Sequence, residues 1–400
     1  MGDWLSRLTL RTAGESHGRG VLAVLEGLPR GIPLDLAAVD AELRRRQGGA
    51  GRGGRQRIED DHVEILTGLR AGVTLGSPLT LWVANRDASL ETLPQLTRPR
   101  PGHADLAGCF RYGDRDIRAT LERASARETA ARVAAGAVAA QVLAPVGCQV
   151  FGFVRAVHAS ALADDVPGPL APELLADWRR RRDGSRLYTL TADADAGMLA
   201  CVQAAAAEGD SVGGVVEVHA VGLPGGLGSH LQWSERLDAR LAGALMSIPA
   251  VKGVEVGLGF EASRRRGSQV HDPVELADAG GLRRASNHAG GLEGGTSNGE
   301  DAVVRAAMKP ISTLRQPLPS VDLARGVPAP ASYERADVCA VSACSVVAEA
   351  MVAIVLLDAV LGRIGGETLA DLVAGARAWR ERCRRVVGSP DSGSSPDVAS

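Results

Sequence analysis

The chain has 400 residues, of which 45% are hydrophobic, 23% charged and 3% aromatic, a balance that fits globular structure and excludes wholesale disorder or a fibre. Lys and Arg number 45 against 47 Asp and Glu, so the formal net charge of -2 does not suit a protein held by a nucleic-acid backbone or an anionic membrane, and any basic patch must be local. Six cysteines (Cys109, Cys148, Cys201, Cys339, Cys344, Cys383) form no CxxC pair and have no neighbouring histidine ligands, which argues against a zinc site and a disulfide framework and reads as buried thiols.

In chain order, residues 8–12 and 20–28 read as strands, and residues 34–46 as a helix opened by Pro33 and stopped by Gly48 and Gly49. A Gly/Arg loop follows, then strands over 58–69 and 78–85, whose β-branched content and Gly/Pro borders mark them. Residues 116–143, rich in Ala, Leu, Arg and Glu, read as one long helix able to pack closely on its neighbours. Beyond Pro145 come a strand at 149–157, a helix at 172–182, a helix ending before Gly209, a strand at 213–221 and a helix near 235–245. No regular βαβ alternation results, so the pattern favours an α+β fold with antiparallel sheets. Residues 257–299, crowded with Gly, Arg, Ser and Asn, are expected to be long loops brought to a common site. Residues 345–361 are the most apolar stretch, but Glu349 and Asp358 and a length short of ~20 residues make it a buried helix rather than a membrane span. A single domain over 1–387 and a mobile tail over 388–400 complete the reading. The N-terminus lacks the basic start and apolar core of a secretory signal, so the cytoplasm is the expected location.

Several motifs carry chemistry. Glycines flank Ser16-His17 in GESHG after a strand, leaving an imidazole at a strand end, where the alternative is a structural histidine. Arg44 to Arg55 combine a helix end with a Gly/Arg loop that can grip phosphates or carboxylates; an RGG-like RNA segment is disfavoured because aromatic residues are not interleaved. Pro99 and Pro101 stiffen a loop that presents His103 among Arg98, Arg100 and Asp105, either to protonate a bound anion or as a rigid surface turn. Glu122 to Thr129 either form i,i+4 pairs on a wet face or offer Ser125 to a flat ring lying close to small residues. The glycine loop at 294–299 and Lys309 to Thr313 can cradle a phosphate, although no GxxxxGK[ST] P-loop exists. Asp337 is a helix cap or a proton acceptor. Only Lys252 and Lys309 are lysines among the 45 basic residues, which singles them out, since a compact ammonium is not interchangeable with a guanidinium.

Taken in order, GESHG, RRRQGGAGRGGR, RPGHAD, RASARET, GGTSNG, MKPIST and the Arg335/Asp337 pair resemble the chorismate synthase family over residues 8 to about 362. The resemblance implies a β-α-β sandwich with helices between two antiparallel sheets, a homotetramer, and a lyase that eliminates phosphate from 5-enolpyruvylshikimate 3-phosphate to give chorismate. It implies reduced FMN with no net redox change, NADPH acting only through a separate flavin reductase, and no metal, nucleic-acid or membrane partner. His17 would then protonate the leaving phosphate and His103 the reduced flavin, with Ser16, Ser125 and Asp337 as a proton relay. FMN would be held by Arg123, Ala124, Ser125, Pro249, Ala250, Gly294, Lys309, Pro310, Ile311, Ser312, Thr313 and Arg335. Arg46, Arg52, Arg55 and Arg100 would clamp substrate anions, Arg46 and Arg52 also matching positions assigned to NADP contact. Ala336 stands where the family usually has Ser or His, and Ala50 where Tyr is common. An inactive flavin- or phosphate-binding homologue is the alternative.

Overall fold

The computed structural model describes residues 7–53, 60–163, 170–277, 281–334 and 337–387. Strands β1 (Thr9–Gly14), β2 (Gly20–Glu26), β3 (Val63–Thr67) and β4 (Leu79–Ala84) form one antiparallel sheet in the order β1-β2-β4-β3. Its inner face is built from cross-strand pairs, Val21 with Val83, Ala23 with Leu81 and Leu25 with Leu79, all buried. A period-2 alternation with one apolar face requires this register, because a one-residue slip would turn the whole set outward. Strands β5 (Gln149–Val157), β6 (Ser160–Ala161), β7 (Gly214–Val221), β8 (Val251–Val256) and β9 (Ala302–Met308) form a second antiparallel sheet in the order β8-β9-β7-β5-β6. There Val216, Val218 and Ala220 of β7 pair with Ala306, Val304 and Ala302 of β9.

The helices are α1 (Leu36–Gln47), α2 (Asp105–Tyr112), α3 (Arg118–Arg123), α4 (Thr129–Leu143), α5 (Pro172–Gly184), α6 (Ala192–Glu208), α7 (Leu237–Met246), α8 (Val341–Ile364) and α9 (Leu369–Arg384). α4 packs on β2 and β4, α8 packs on β5 and β7, and α4 and α8 pack on each other. The α4–α8 approach is so close at Gly136 that a Cβ there would overlap Ala350, which explains a glycine inside an otherwise alanine-rich helix. Apolar residues cover every face of both helices, as expected for helices buried all round.

Three expectations change. The single helix over 116–143 is broken: α3 ends at Arg123, Ser125 is extended (φ -66°, ψ 143°), and a 3₁₀ turn at Ala126–Glu128 leads into α4. The Ser125 side chain accepts from Arg127 N–H, the local bond by which serine competes with a helix. The helix expected over 345–361 extends to 24 residues, long and apolar enough to cross a bilayer, as is the stretch Arg118–Val146; both are mostly buried inside the protein, as core helices are. Residues 257–299 are not bare loop but include 3₁₀ turns and two small hairpins, Val274–Leu276 with Leu282–Arg284 and Leu292–Glu293 with Thr296–Ser297. The cysteines are all free; Cys109, Cys148, Cys339 and Cys344 are buried, whereas Cys201 and Cys383 are half-buried. The tail at 388–400 lies outside the described residues.

Candidate active site

The turn between β1 and β2 carries Ser16 and His17. Gly14 closes strand β1 at φ 105°, where a side chain would run into Gly20 and Val21 of the partner strand, so only glycine lets the chain leave the sheet here. The turn is then tied down by one side chain: Asn85, just past β4, donates from Nδ2 to the carbonyls of Glu15, Ser16 and Gly18 at 3.0, 3.1 and 2.8 Å. Asn85 Oδ1 accepts from Arg127 Nε at 2.7 Å, Arg127 Nη1 donates to Asp61 at 2.5 Å, and the other Asp61 oxygen takes Arg46 Nη2 at 2.7 Å. All four residues are buried. Burial by itself would raise the Asp61 carboxyl, but the charges and hydrogen bonds of Arg46 and Arg127 outweigh it and hold the group below its ordinary value.

His17 meets a carboxylate. Both oxygens of Glu122 lie 2.9 Å from His17 Nδ1, and Glu122 Oε2 also accepts the His17 backbone N–H at 2.8 Å. Burial would raise the Glu122 carboxyl, yet the two His17 donors and Arg118 keep it ionised below the ordinary range. His17 Nε2 lies 3.9 Å from Asp87 Oδ2, beyond a direct hydrogen bond. His103 repeats the arrangement, with Nδ1 at 2.5 Å from Asp105 Oδ1 and Arg100 Nη2 at 3.0 Å from the same nitrogen. Arg100 also reaches Asp105 through Nε at 2.9 Å and Thr313 Oγ1 through Nη1 at 3.0 Å, joining the His103 loop to the segment after β9. Asp105 is buried, which would raise its carboxyl; the bonds from His103 and Arg100 outweigh burial and hold it well below the usual carboxylate range. A third cluster joins Ser125 Oγ to Ser16 Oγ at 3.1 Å, and a fourth places Asp337 on Gly53 N–H and Arg52 Nη1, both at 2.6 Å.

These clusters surround one cavity of about 840 Å³. Ser16, His17, Arg46, Arg52, Arg100, His103, Arg123, Ala124, Ser125, Pro249, Ala250, Lys309, Ile311, Ser312, Thr313 and Asp337 all line it, although they come from positions hundreds of residues apart. Both lysines of the chain are on its wall, and its lining has eight Arg and Lys against four Asp and Glu. Pro310 is next to the wall without lining it. Gly294 is elsewhere: it sits in the turn of the hairpin beside the start of α7, whereas Pro249 and Ala250 follow the other end of that helix, about 15 Å away along ten residues. Among the described residues of 257–299 none lines the cavity. Arg55, Arg335 and Ala336 lie outside the described residues. A smaller hollow of about 490 Å³ adjoins the first through Arg52 and Gly53, with Ala50 on its wall.

Sequence reading leaves out Glu122, Asp61 and Asn85 as partners of the site, groups Asp105 with His103 and singles out Lys252 without giving either a role. The charges at 122–128 had a surface-helix alternative, but Glu122, Arg127 and Glu128 are buried. A usable signal existed only for Asp105, two residues from His103, and for Lys252, as one of two lysines.

Known proteins with the same pattern identify it. A family model described as chorismate synthase matches residues 8–361. The chorismate synthase of Desulforudis audaxviator is 49% identical over 386 residues, covering 93% of this chain and 97% of its own, and that of Moorella thermoacetica is 50% identical over 388 residues, covering 94% and 99%. A crystal structure of chorismate synthase superposes with a TM-score of 0.79 at 40% identity, covering 95% of this chain and 99% of that one. With its match running through both large sheets and the helices packed on them, the chain belongs to the chorismate synthase family.

Proposed function

We propose that the chain converts 5-enolpyruvylshikimate 3-phosphate to chorismate by anti-1,4-elimination of phosphate, and that the 840 Å³ cavity is where it does so. The observation that carries this reading is the pairing of two histidines, each with Nδ1 on a buried carboxylate, on the wall of a cavity with excess positive charge. In the reaction a C–O bond to phosphate and a ring C–H bond break and a new double bond forms. A substrate with one phosphate and two carboxylates needs several cationic donors, and Arg46, Arg52 and Arg100 present guanidinium groups to the cavity from three different elements. His17 gives a proton from Nε2 to the departing phosphate. The hydrogen-bonded Ser16–Ser125 pair and Asp337, on the wall of the same cavity, are the groups that would take up the ring proton.

Reduced FMN fits the residues present. Lys309 has its charged form disfavoured, first by burial and then by Lys252, and among the described residues its ammonium donates to the Pro310 carbonyl at 3.3 Å, so an anion would relieve it. Buried Nε atoms of Arg46 and Arg52 also have no hydrogen-bond partner among the described residues. When bound, reduced FMN lends electron density to the substrate while phosphate leaves, with no net redox. Arg123 to Ser125, Pro249, Ala250 and Lys309 to Thr313 are the segments that would hold it, joined by Gly294 and Arg335 on the family resemblance. His103, fixed through Nδ1 by Asp105, is the residue that would exchange a proton with the bound flavin. The contacts of α4 and α8 with opposite sheets support the sandwich with helices between them. Family membership supports a cytoplasmic homotetramer supplied with reduced flavin by a separate reductase. The test is anaerobic incubation of the chain with the phosphorylated substrate and chemically reduced FMN; equal amounts of phosphate and chorismate are expected, and FMN binding without either product would contradict the assignment.

A further inference from the structure

Glu122 makes three contacts of different kinds with the catalytic turn and with its own helix. Its oxygens bracket His17 Nδ1 at 2.9 Å, Oε2 takes the His17 backbone N–H at 2.8 Å, and Oε1 takes Arg118 Nη1 at 3.3 Å. The Glu122 backbone carbonyl also accepts Ser16 N–H at 3.1 Å. The side chain has no solvent exposure, so its acceptor capacity is used within the protein. The other charged groups around the pair are few. Asp87, half-exposed and itself bonded by Ser89 Oγ at 2.6 Å, stands 3.9 Å from His17 Nε2. Arg118, on the far side of Glu122, is shared with Glu334 at 3.5 Å.

We propose that Glu122 is a positioning residue that fixes His17 as the tautomer with hydrogen on Nδ1, so that Nε2, facing the cavity, is the nitrogen that gives up a proton to phosphate. The inference rests on the chorismate-forming reading and adds to it the residue that decides which nitrogen acts. The step balances simply. The Nε2–H bond of the imidazolium breaks as an O–H bond forms on the phosphate, leaving a neutral ring whose remaining proton is on Nδ1, already directed at Glu122. The carboxylate stays ionised throughout, as the buried aspartate does in a serine protease triad. Ser16 and His17 are held in place by Asn85 as well, so the turn does not depend on Glu122 alone for its shape.

Glu122→Gln separates shape from acceptor capacity. In the variant an NH₂ group, which can only donate, replaces one of the two oxygens that lie 2.9 Å from Nδ1, and the negative charge is gone, so the preference for hydrogen on Nδ1 is removed. Nitrogen NMR of ¹⁵N-histidine-labelled full-length chain reads the tautomer directly and needs no turnover. Wild type is expected to show hydrogen on Nδ1, Glu122→Gln hydrogen on Nε2, and Glu122→Asp a return to Nδ1. In steady-state assays Glu122→Gln should lose at least ~100-fold in kcat with KM little changed, and Glu122→Asp should recover part of it. A neutral wild-type ring with hydrogen on Nε2 and none on Nδ1 overturns the proposal even if a variant fails to fold, and so does a folded Glu122→Gln with wild-type tautomer or kcat. Absence of chorismate formation by wild type, with the Nδ1 tautomer present, would instead count against the reaction assignment.

Discussion

Asp61→Asn removes a carboxylate that bridges Arg46 and Arg127 while keeping its shape. In the wild type Asp61 accepts from Arg46 at 2.7 Å and from Arg127 at 2.5 Å, and all three are buried. An amide supplies one acceptor in place of two and no charge, so the two guanidinium groups lose the negative charge of Asp61 in a low-dielectric interior. Breaking a buried pair by removing one partner costs about 3–5 kcal/mol. Unfolding entropy near the midpoint is about 2.1 cal/mol/K per residue, which for a chain of this length gives about 0.8 kcal/mol/K and a fall in Tm of about 4–6 °C. The pH dependence has a definite sign. The folded-state Asp61 carboxyl lies below its ordinary value, because Arg46 and Arg127 outweigh the opposing effect of burial, so its contribution is complete above the unfolded value of about 3.9 and is lost as pH falls through the lower folded value. The gap in Tm between wild type and Asp61→Asn should therefore stay constant from pH 8 to pH 5 and narrow only in stronger acid. Calorimetric melts at matched protein concentration check this. A variant within 1 °C of wild type at pH 7.5, or a gap that closes between pH 8 and pH 5, would refute the reasoning.

Lys309→Met should weaken FMN binding by about 10–150-fold, the loss of one charged hydrogen bond worth about 1.5–3 kcal/mol, without lowering the Tm of the flavin-free chain. The direction follows from a lysine whose charge is disfavoured by burial and by Lys252, and titration of flavin fluorescence against protein measures it. Gly136→Val should cost about 1–3 kcal/mol by forcing α4 away from Ala350, read as a lower denaturation midpoint with an unchanged urea slope.

Fold legibility in the sequence followed the range of the interactions involved. Strands at 8–12, 78–85, 149–157 and 213–221 could be read because the alternation that buries one face is local, and they coincide with β1, β4, β5 and β7 to within a few residues. The order of strands in each sheet and the packing of α4 on α8 depend on contacts between distant segments and left no local trace. The break at Ser125 was hidden for the same reason. Helix propensity over 116–143 is high throughout, but Arg127 must reach Asn85 and Asp61, 42 and 66 residues away, and the helix yields to those bonds. The motifs and the family resemblance named the residues on the cavity wall, whereas the partners behind them, Glu122 for His17 across 105 positions and Asp61 for Arg46, appear only when the chain is folded. The pairing of Lys252 with Lys309 in one cavity shows that composition can carry more than it first suggests.

The central claim is that this cavity eliminates phosphate with histidines supplying protons, and parallel anaerobic single turnovers of wild type, His17→Ala and His103→Ala test it most directly. With reduced FMN and no nicotinamide, wild type should release one phosphate for each chorismate formed, and each variant should be slower by at least ~10-fold, since a general acid is typically worth 10² to 10⁴. Wild-type rates in both variants, or phosphate released without chorismate, would contradict the account.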